Sequence, residues 1–349
     1  MLTKMLIENY KSIKKAELEF SKINVLVGPN GSGKTSILEC AEVLRNPYIY
    51  ARHITPTPPI LERGVLENLF EIKFFDEIVY AHDVSKTIHI NADFKDVGIL
   101  RVEVSLSKEK GTRKLIGNQS SNRDLKMELS RILHILKTNR RVGRRLGGVL
   151  ADTSAVDTSN SHAIFYYACY RSEFQENIKI IREFYAKYGL QNLRWVPTET
   201  QGQYEIIATT PEGVDVNLAD AGAGLNALFP IVTALAFYPK GSTIFIEHPE
   251  MHLHPKLQYE LAEFFLMVSK RRDYQLIIET HSEHLLYGLL NAVASKRLSP
   301  EELVVYSSQK EQGESVFNRL IVHEDGSVEG GLQDFFEADI DVFLDWLKA

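Results

Sequence analysis

Short runs of alternating hydrophobic and polar residues open the chain. They predict three strands, at Lys4 to Glu8, Lys15 to Phe20 and Ile23 to Val27. The third run leads directly into a glycine-rich segment, and a helical pattern begins at Lys34. The chain therefore starts with two strands that precede a strand, loop and helix unit.

Short β-rich pieces follow between about Leu66 and Leu115, and turn residues separate them. This spacing is typical of an antiparallel sheet rather than of alternating strands and helices. We therefore assign residues 60–118 to a β-lobe.

A mixed region lies between the β-lobe and the last third of the chain, and we describe residues 120–200 as a helical insertion. Its patterns predict, in order, a helix over Asn122 to Lys137, a polar loop over Asp152 to His162, a strand over Ala163 to Cys169, a helix over Glu173 to Tyr188 and, just beyond it, a strand over Tyr204 to Thr209.

Strands and helices alternate from Gly224 onward. After a first helix, the pattern predicts a strand over Thr243 to Glu247, a helix over Pro255 to Lys270, a strand over Tyr274 to Glu279 and a helix over Ser282 to Ala294. This order implies parallel strands with helical crossovers, so the fold class is α/β. We expect residues 1–45 and 200–349 to form one core within a single domain of 349 residues.

Composition narrows the class of protein. Hydrophobic residues make up 44% and charged residues 25%, as in ordinary globular proteins. The sequence shows no apolar run long enough to span a bilayer and no export signal at the N-terminus. We therefore expect no membrane contact and a cytoplasmic location. Cys40 and Cys169 form no C-x-x-C pair, which argues against a disulfide framework. The net charge of −6 confines any nucleic-acid binding to a local basic face.

The segment from Gly28 to Thr35 fits the G-x-x-x-x-G-K-[ST] motif of a phosphate-binding loop, with a strand before it and a helix after it. The backbone N–H groups of this loop and the helix N-terminus bind phosphate, Lys34 reaches the outer phosphates, and the Thr35 hydroxyl can ligate Mg²⁺. The predicted phosphate-binding residues are Gly28, Pro29, Asn30, Gly31, Ser32, Gly33, Lys34 and Thr35.

An acidic residue, Glu247, ends the strand that begins at Thr243, and we predict that it lies on the metal side of the phosphate site. Three histidines follow it, at positions 248, 252 and 254, and a zinc cluster is the alternative interpretation of that run. His281 follows the next strand and could sense the γ-phosphate; a surface histidine at a helix start is the alternative there.

Four segments together carry a family resemblance: Leu6 to Ser12, the phosphate loop, IFIEHPEMHLHPKLQ and IIETHSEHLL. They resemble ABC-type ATPases of the RecF, SMC and overcoming-lysogenization-defect (OLD) lineage, and most closely the stand-alone AAA-type ATPases of bacterial anti-phage operons. The resemblance implies an ABC-type P-loop ATPase head with an antiparallel β-lobe and a helical insertion. It also implies that ATP and Mg²⁺ are the cofactors and that a homodimer or a higher oligomer encloses the ATP.

The family's signature loop corresponds here to the segment from Asp220 to Ala227, and the resemblance implies that Gly222, Gly224 and Asn226 contact the ATP of a partner subunit. Relatives usually carry Ser where Asn226 stands. They commonly carry a second Glu, the general base, where this chain has His248. We therefore expect slow hydrolysis, with His248 or the nearby Glu250 activating the water.

The chain offers one basic segment and no clear nuclease centre. Residues 131–145 contain six Lys or Arg and no acid, so Lys137, Arg140, Arg141, Arg144 and Arg145 could contact nucleic-acid phosphates; a solvated helix face is the alternative.

The acids from Glu337 to Asp341 resemble part of a carboxylate metal site, but they are better explained by the start of a terminal helix over Ile340 to Lys348. Any effector would then be a separate protein.

Two function classes follow from these observations. In the first, the chain is the sensor or regulatory ATPase of an anti-phage defence system and controls a separate effector such as a nuclease. In the second, it is a RecF-like ATPase of DNA repair or recombination that binds DNA directly. Salt-dependent DNA binding by the isolated protein would favour the second class.

Overall fold

The structure is a computed structural model that describes residues 1–45, 78–95, 98–109, 112–120, 131–137, 146–147, 161–198 and 203–329. The strands of these residues are β1 Leu2–Tyr10, β2 Ile13–Glu19, β3 Ile23–Val27, β4 Ile88–Phe94, β5 Gly98–Glu109, β6 Thr112–Ser120, β7 Leu133–Leu136, β8 Leu146–Gly147, β9 Gln191–Pro197, β10 Gln203–Thr209, β11 Asp215–Asn217, β12 Thr243–Glu247, β13 Gln275–Glu279, β14 Leu303–Glu311 and β15 Glu314–Leu320. The helices are α1 Lys34–Arg45, α2 Ser161–Cys169, α3 Gln175–Ala186, α4 Ala223–Phe237, α5 Pro255–Arg272 and α6 Glu283–Ala294.

Within the described residues, a six-stranded sheet forms the centre of the molecule, in the order β15-β14-β3-β13-β12-β7. Strands β14, β3, β13, β12 and β7 are parallel to their neighbours, and only β15 is antiparallel. Because the carboxyl ends of β3, β13 and β12 meet at one edge, the residues that follow these strands are brought together there.

Both faces of the central sheet are covered, which explains the almost uninterrupted apolar runs in its strands. Alternate side chains of β12 illustrate this: Ile244 and Ile246 belong to one hydrophobic core, which helices α4, α5 and α6 cover, and Phe245 belongs to another. The second core lies between the central sheet, α1 and an antiparallel sheet of order β2-β1-β4-β5-β6.

The predicted β-lobe is therefore not a separate sheet in the part of the chain that the structure describes. Strand β4 pairs with β1, with Leu6 opposite Asn91 and Ile7 opposite Ile90, so the N-terminal strands and the lobe form one antiparallel sheet. Buried and half-buried residues alternate along β4, because every second side chain, from Ile88 to Phe94, belongs to the second hydrophobic core. The pieces of the lobe from residue 66 to 77 lie outside the described residues.

Two predicted secondary-structure elements of the helical insertion are wrong, one of them only in part. The predicted helix over Asn122 to Lys137 is wrong at Leu133–Leu136, which form strand β7; this strand pairs in parallel with β12 and extends the central sheet. Residues 131 and 132 are helical, and residues 122–130 lie outside the described ranges. The predicted strand over Ala163 to Cys169 is instead helix α2, whose buried residues include Ser161, Ile164, Phe165 and Ala168, at the spacing of one helical face. The division into core, lobe and insertion stays a prediction.

The predicted polar loop over Asp152 to His162 is wrong at its last two residues, which begin α2, and residues 152–160 lie outside the described residues. The three N-terminal strands and the helix after Gly224 are present. The helix after Glu173, the strand ending at Thr209 and the strand and helix series from Thr243 to Ala294 lie within two residues of their predicted bounds. Strands β9 and β11 and the β14–β15 hairpin were not predicted. The predicted terminal helix from Ile340 lies outside the described residues. Within the described ranges, every helix falls short of the length and hydrophobicity that a bilayer crossing requires.

Candidate nucleotide site

The phosphate loop connects β3 to α1 and follows a path that requires glycine. Gly28 has a φ of 139° and Gly33 a φ of 103°, values that side chains rarely permit. A Cβ atom on Gly28 would lie 2.1 Å from the carbonyl oxygen of Ser308, and one on Gly33 would lie 2.4 Å from Oγ of Ser315. The loop therefore lies directly against the β14–β15 hairpin.

Serine hydroxyls join the loop to this hairpin. Oγ of Ser32 lies 2.6 Å from Oγ of Ser308, which donates in turn to the Val27 carbonyl at 2.9 Å. Oγ of Ser315 lies 2.7 Å from Oγ of Ser12. These contacts fix the backbone of the loop before any nucleotide is bound.

Lys34 is the first residue of α1 and is almost fully buried, with 3% of its surface exposed. Its Nζ donates hydrogen bonds of 2.9 Å to the carbonyl oxygens of Gly28 and Pro29. Burial lowers the pKa of Lys34, and Glu279 and Glu250 oppose that shift. The ammonium group is thus held inside the loop, where phosphate oxygens could replace the carbonyls as its partners.

Two carboxylates end neighbouring strands of the central sheet. Glu247 of β12 and Glu279 of β13 are paired in register. Glu279 is 1% exposed, and its Oε1 accepts a hydrogen bond of 2.6 Å from the Thr35 hydroxyl, whereas Glu247 is partly exposed. Burial raises the pKa of Glu279. Glu279 was not among the predicted site residues, and its position at a strand end beside Glu247 was the signal that could have identified it.

His248 links these acids to the segment that follows β12. Its backbone N–H donates to the Glu279 carbonyl at 2.9 Å, and its φ of 39° turns the chain sharply after the strand. Its Nδ1 lies 3.5 Å from Oε1 of Glu250, and its Nε2 lies 3.6 Å from Oε1 of Glu279. The imidazole therefore lies between two carboxylates.

The His281 ring stacks on His248, with 4.9 Å between the ring centroids and an interplanar angle of 12°. The backbone N–H of His281 donates to Oε1 of Glu250 at 2.8 Å. The structure thus brings together Lys34, Thr35, Glu247, His248, Glu250 and His281, all of which the sequence predicted for this site, and adds Glu279.

The pKa values of the two stacked histidines are shifted in opposite directions. The Glu250 carboxylate, as hydrogen-bond partner, raises the pKa of His248 against the effect of burial. Burial and the nearby Lys34 lower the pKa of His281 to about 4, so this ring is neutral at pH 7. Burial acts to raise the pKa of Glu250, but hydrogen bonds from His248 and the His281 backbone outweigh it, and the net shift is downward.

The oxygen donors at this edge, from Thr35, Glu247 and Glu279, fit Mg²⁺. Glu247, His248 and Glu279 each present one atom within 4.8 Å of the others, and the Thr35 hydroxyl lies beside Glu279. Oε2 of Glu279 is buried and has no hydrogen-bond partner among the described residues. Hydroxyl and carboxylate oxygens are the ligands that Mg²⁺ prefers.

The alternative zinc cluster is not formed by the three histidines after Glu247. In the described part of the chain, the side chains close enough to share a metal ion are Glu247, His248 and Glu279. Neither His252 nor His254 belongs to this group. His254 instead caps α5, with its Nδ1 accepting a hydrogen bond from the Lys256 backbone at 3.3 Å.

The predicted signature loop lies at the start of α4. Gly222 has a φ of 109°, and its carbonyl accepts a hydrogen bond from the Asn226 N–H at 3.1 Å. A Cβ on Gly224 would lie 3.2 Å from the His252 carbonyl, so the loop packs against the segment that follows the metal-side strand of its own chain. Contact of Gly222, Gly224 and Asn226 with a partner's ATP stays a prediction.

The predicted basic face is only partly described. Lys137 lies at the end of β7 and forms an ion pair with Glu42 at 2.7 Å. Arg140, Arg141, Arg144 and Arg145 lie outside the described residues.

Comparisons with known proteins identify the fold. The chain is similar to a structure titled "Crystal structure of the SmcHead bound to the C-winged helix domain of ScpA", with a TM-score of 0.61 and 16% identity over 93% of this chain and 98% of the other. It is also similar to an Smc head domain with an extended coiled coil from Pyrococcus furiosus, with a TM-score of 0.56 and 13% identity over 98% and 99% of the two chains. Identities this low establish the fold alone.

Two curated relatives match short stretches of the chain. The DNA replication and repair protein RecF of Psychromonas ingrahamii is 44% identical over 55 residues, which are 16% of this chain and 15% of the relative. RecF of Yersinia enterocolitica is 52% identical over 44 residues, or 12% of each protein. The matches thus span a small part of these relatives.

A protein-family profile described as "AAA domain, putative AbiEii toxin, Type IV TA system" matches residues 23–286, which contain the phosphate loop, both acidic strand ends and His281. The predicted fold class is confirmed by the Smc head structures. The chain therefore belongs to this AAA family, and its fold is that of the Smc head domains.

Proposed function

We propose that this ATPase binds ATP with Mg²⁺, dimerises on ATP, hydrolyses it slowly and acts as the sensor or regulatory subunit of a bacterial anti-phage defence system. In that role it controls a separate effector such as a nuclease. The observation that carries the proposal is the meeting of Lys34, Thr35 and two strand-end carboxylates at one buried edge of the sheet.

Different residues at this edge bind the triphosphate and Mg²⁺. The loop from Gly28 to Gly33 and Lys34 hold the triphosphate, and Thr35, Glu247 and Glu279 hold Mg²⁺. When bound there, Mg²⁺ neutralises charge on the phosphate oxygens. The cluster is prearranged, because the Thr35 hydroxyl already donates to Glu279 and Lys34 is already turned into the loop.

Slow hydrolysis follows from the environment of His248. Because Glu250 raises the pKa of His248, a larger fraction of the ring already carries a proton near neutral pH and cannot accept one from water, whereas the carboxylate that relatives carry there is free to do so. Glu250 is ionised more readily, and its buried Oε2 has no hydrogen-bond partner among the described residues. Glu250 is therefore the better base for the attacking water, and neutral His281 can donate to the γ-phosphate.

Dimerisation rests on the signature loop. Gly224 packs against the carbonyl of His252, so the loop is coupled to the segment that carries His248 and Glu250. A partner's ATP that contacted Gly222, Gly224 and Asn226 would thereby be coupled to the segment of this chain that carries His248 and Glu250. The family description, which names a putative toxin of a toxin–antitoxin system, supports a role in a defence operon rather than in export.

RecF-like DNA repair is the second candidate function. The local identity of 44% to a RecF protein over 55 residues favours it. In this role the chain would bind gapped or single-stranded DNA directly and would need no separate effector.

The proposed nucleotide chemistry is tested with the purified full-length chain and its Lys34→Ala variant. Loss of the Lys34 ammonium, which is expected to bind phosphate oxygens, should weaken ATP binding roughly 100-fold and abolish an ATP-dependent rise in mass in light scattering. Lys179→Ala is the matched control, because Lys179 is a surface residue of α3 with a side chain 58% exposed. Equal ATP affinity of wild type and Lys34→Ala would refute the site.

The biological role is tested in cells that carry the chain together with its adjacent gene. Protection from phage in a plaque assay, retained by Lys179→Ala and lost by Lys34→Ala, supports the defence role. Absence of protection, combined with ATP-dependent binding to gapped DNA, would replace it with the repair role.

A further inference from the structure

Two short segments leave the central sheet at the nucleotide site. Residues 248–254 follow β12 and carry Glu250, and we call them the Glu250 segment. Residues 280–282 follow β13 and carry His281, and we call them the His281 segment. The register pairing of β12 with β13 ends where the strands end, before either segment begins. The relative position of Glu250 and His281 therefore depends on contacts between the two segments.

Gln258, in the first turns of α5, joins the two segments through its side-chain amide. Its Nε2 donates a hydrogen bond of 2.8 Å to the carbonyl of Leu253, which belongs to the Glu250 segment. Its Oε1 accepts a hydrogen bond of 2.6 Å from the hydroxyl of Ser282, which belongs to the His281 segment. A carbonyl can only accept, so the Leu253 carbonyl determines which way the amide is turned. One amide thus bonds both segments, with its donor to one and its acceptor to the other.

The Ser282 end of this link continues into α6. The Ser282 hydroxyl donates to Gln258 and at the same time accepts a hydrogen bond of 2.9 Å from the Leu285 N–H, which caps the helix. The Ser282 N–H donates to Oγ1 of Thr280 at 2.9 Å. Because a hydroxyl has a single proton, its donation to Gln258 leaves a lone pair for Leu285. Gln258 therefore also orients the residue that begins α6.

The amide of Gln258 lies close in the chain to the contact between the two catalytic candidates. Oε1 of Glu250 accepts a hydrogen bond of 2.8 Å from the His281 N–H. Glu250 is joined to Leu253 by a turn, in which the Leu253 N–H donates to the Glu250 carbonyl at 3.0 Å, and His281 directly precedes Ser282. A shift of either segment would therefore change the bond between Glu250 and His281.

We propose that Gln258 is a positioning residue for ATP hydrolysis, whose amide holds the Glu250 segment against the His281 segment. It thereby places the Glu250 carboxylate and the His281 ring for attack on the γ-phosphate. This role rests on the proposed function, in which Glu250 is the base for the attacking water. Because the amide bonds the two segments rather than the phosphate loop, its loss should lower kcat and leave ATP affinity unchanged.

The first test measures hydrogen exchange in full-length Gln258→Leu without nucleotide. Leucine fills a similar volume but can neither donate nor accept a hydrogen bond. We expect faster exchange in peptides that cover residues 248–254 and 280–285, because their N–H groups lose partners that the amide holds in place. Exchange in the phosphate loop should not change.

Gln175→Leu is the matched control for this measurement. Gln175 also forms two hydrogen bonds through its side-chain amide, to the carbonyls of Cys169 and Arg171, but it lies on the surface at the start of α3. Its substitution should leave both segments unchanged. Unaltered exchange of the two segments in Gln258→Leu would overturn the proposal, and this outcome does not depend on ATP binding.

The second test measures ATP affinity and steady-state hydrolysis in Gln258→Leu, Glu250→Gln and the double variant. Gln258→Leu should lower kcat about tenfold, because small displacements of catalytic groups slow a reaction, and should bind ATP as tightly as the wild type. Residues that act through one group are not additive, so adding Gln258→Leu to Glu250→Gln should lower kcat by less than about twofold.

The outcomes separate this role from the proposed function. Equal losses of kcat in both backgrounds, or an unchanged kcat in Gln258→Leu, would overturn the positioning role while hydrolysis by the wild type stands. A wild type that binds ATP without hydrolysing it would overturn the hydrolysis in the proposed function and this role together. A loss of ATP affinity in Gln258→Leu with kcat retained would show that Gln258 supports binding instead, and would also overturn the proposal.

Discussion

The nucleotide site differs in its construction from a second region, the aromatic cluster, which consists of the rings of Tyr166, Tyr170, Trp195 and Tyr204. The nucleotide site collects buried charged groups at the ends of three parallel strands, and each of its residues lies in a short, continuous sequence motif. The aromatic cluster joins one helix to two antiparallel strands and consists of uncharged rings that reach the surface. Charge burial is costly without partners, whereas ring exposure is tolerated.

This difference determines how tightly each region constrains its residues. In the nucleotide site, Lys34, Glu279 and Glu250 are held by hydrogen bonds to backbone or hydroxyl groups, and a small shift would leave a charge unsatisfied. In the aromatic cluster, Tyr170 can change without exposing a buried polar group. We therefore expect large effects of substitution at the first region and moderate ones at the second.

The largest effect is expected for Gly28→Ala. The added Cβ would lie 2.1 Å from the Ser308 carbonyl at a φ of 139°, so the loop would have to move away from the hairpin. Backbone strain of this kind costs on the order of 3 kcal/mol, and ATP affinity should fall by at least about 100-fold in calorimetric titration.

Gly241→Ala is the matched control for that experiment. Gly241 also has a positive φ, of 79°, but no atom lies within 4 Å of its Cβ position. This change should cost about 1 kcal/mol in the free energy of unfolding and leave ATP affinity unchanged. Normal ATP binding by Gly28→Ala would show that the loop is not held by the hairpin.

How far the sequence predicts each region depends on where the deciding contacts lie. Strand β12 has its predicted bounds, Thr243 to Glu247, because a run of four buried residues that ends in an acid is recognisable by itself. Ser282 caps α6 through a hydrogen bond to the Leu285 N–H, a local signal of a helix start. In contrast, β7 is a strand because it pairs with β12, more than a hundred residues away in the chain, which no local pattern reveals.

Helix α2, which carries Tyr166 of the aromatic cluster, shows the same limitation. Most of its residues are apolar, so neither strand nor helix periodicity stands out, although the buried positions 161, 162, 164, 165 and 168 lie on one side of the helix. The cluster itself requires the pairing of β9 with β10, and β9 was not predicted. Most of the residues that the structure brings together at the candidate nucleotide site were predicted, because they lie in local motifs. Glu279 was missed because its role depends on the position of Thr35 in space.

A second prediction compares the two strand-end acids of the nucleotide site. Glu279→Gln should lower the ATP hydrolysis rate at saturating Mg²⁺ roughly 30-fold, because the amide keeps the hydrogen bond from Thr35 but removes a buried charge. Glu247→Gln should have a smaller effect, since Glu247 is partly exposed. Steady-state assays over a range of Mg²⁺ concentrations measure both. A larger loss in Glu247→Gln would restore Glu247 as the dominant metal-side acid, as the sequence alone had indicated.

The smallest effect concerns a buried histidine of the helix that carries the aromatic cluster. Burial lowers the pKa of His162 to about 4, from an ordinary value of about 6.5. The unfolded chain therefore takes up a proton at a higher pH than the folded chain does. Stability from this group is fully present above about pH 6.5 and is lost as the pH falls from there towards 4.

His162→Phe should remove that part of the pH dependence while keeping the aromatic contact with Phe229, whose ring centroid lies 4.6 Å from that of His162. Between pH 7.5 and 5.5 the wild type should lose about 1 kcal/mol more in the free energy of unfolding than the variant, as measured by urea denaturation. His134, in the central sheet, also has its pKa lowered to about 4 by burial and keeps its contribution in both proteins, so it serves as an internal reference. Identical pH slopes for wild type and variant would mean that His162 reaches solvent in the folded chain, and that α2 packs less tightly than the central sheet.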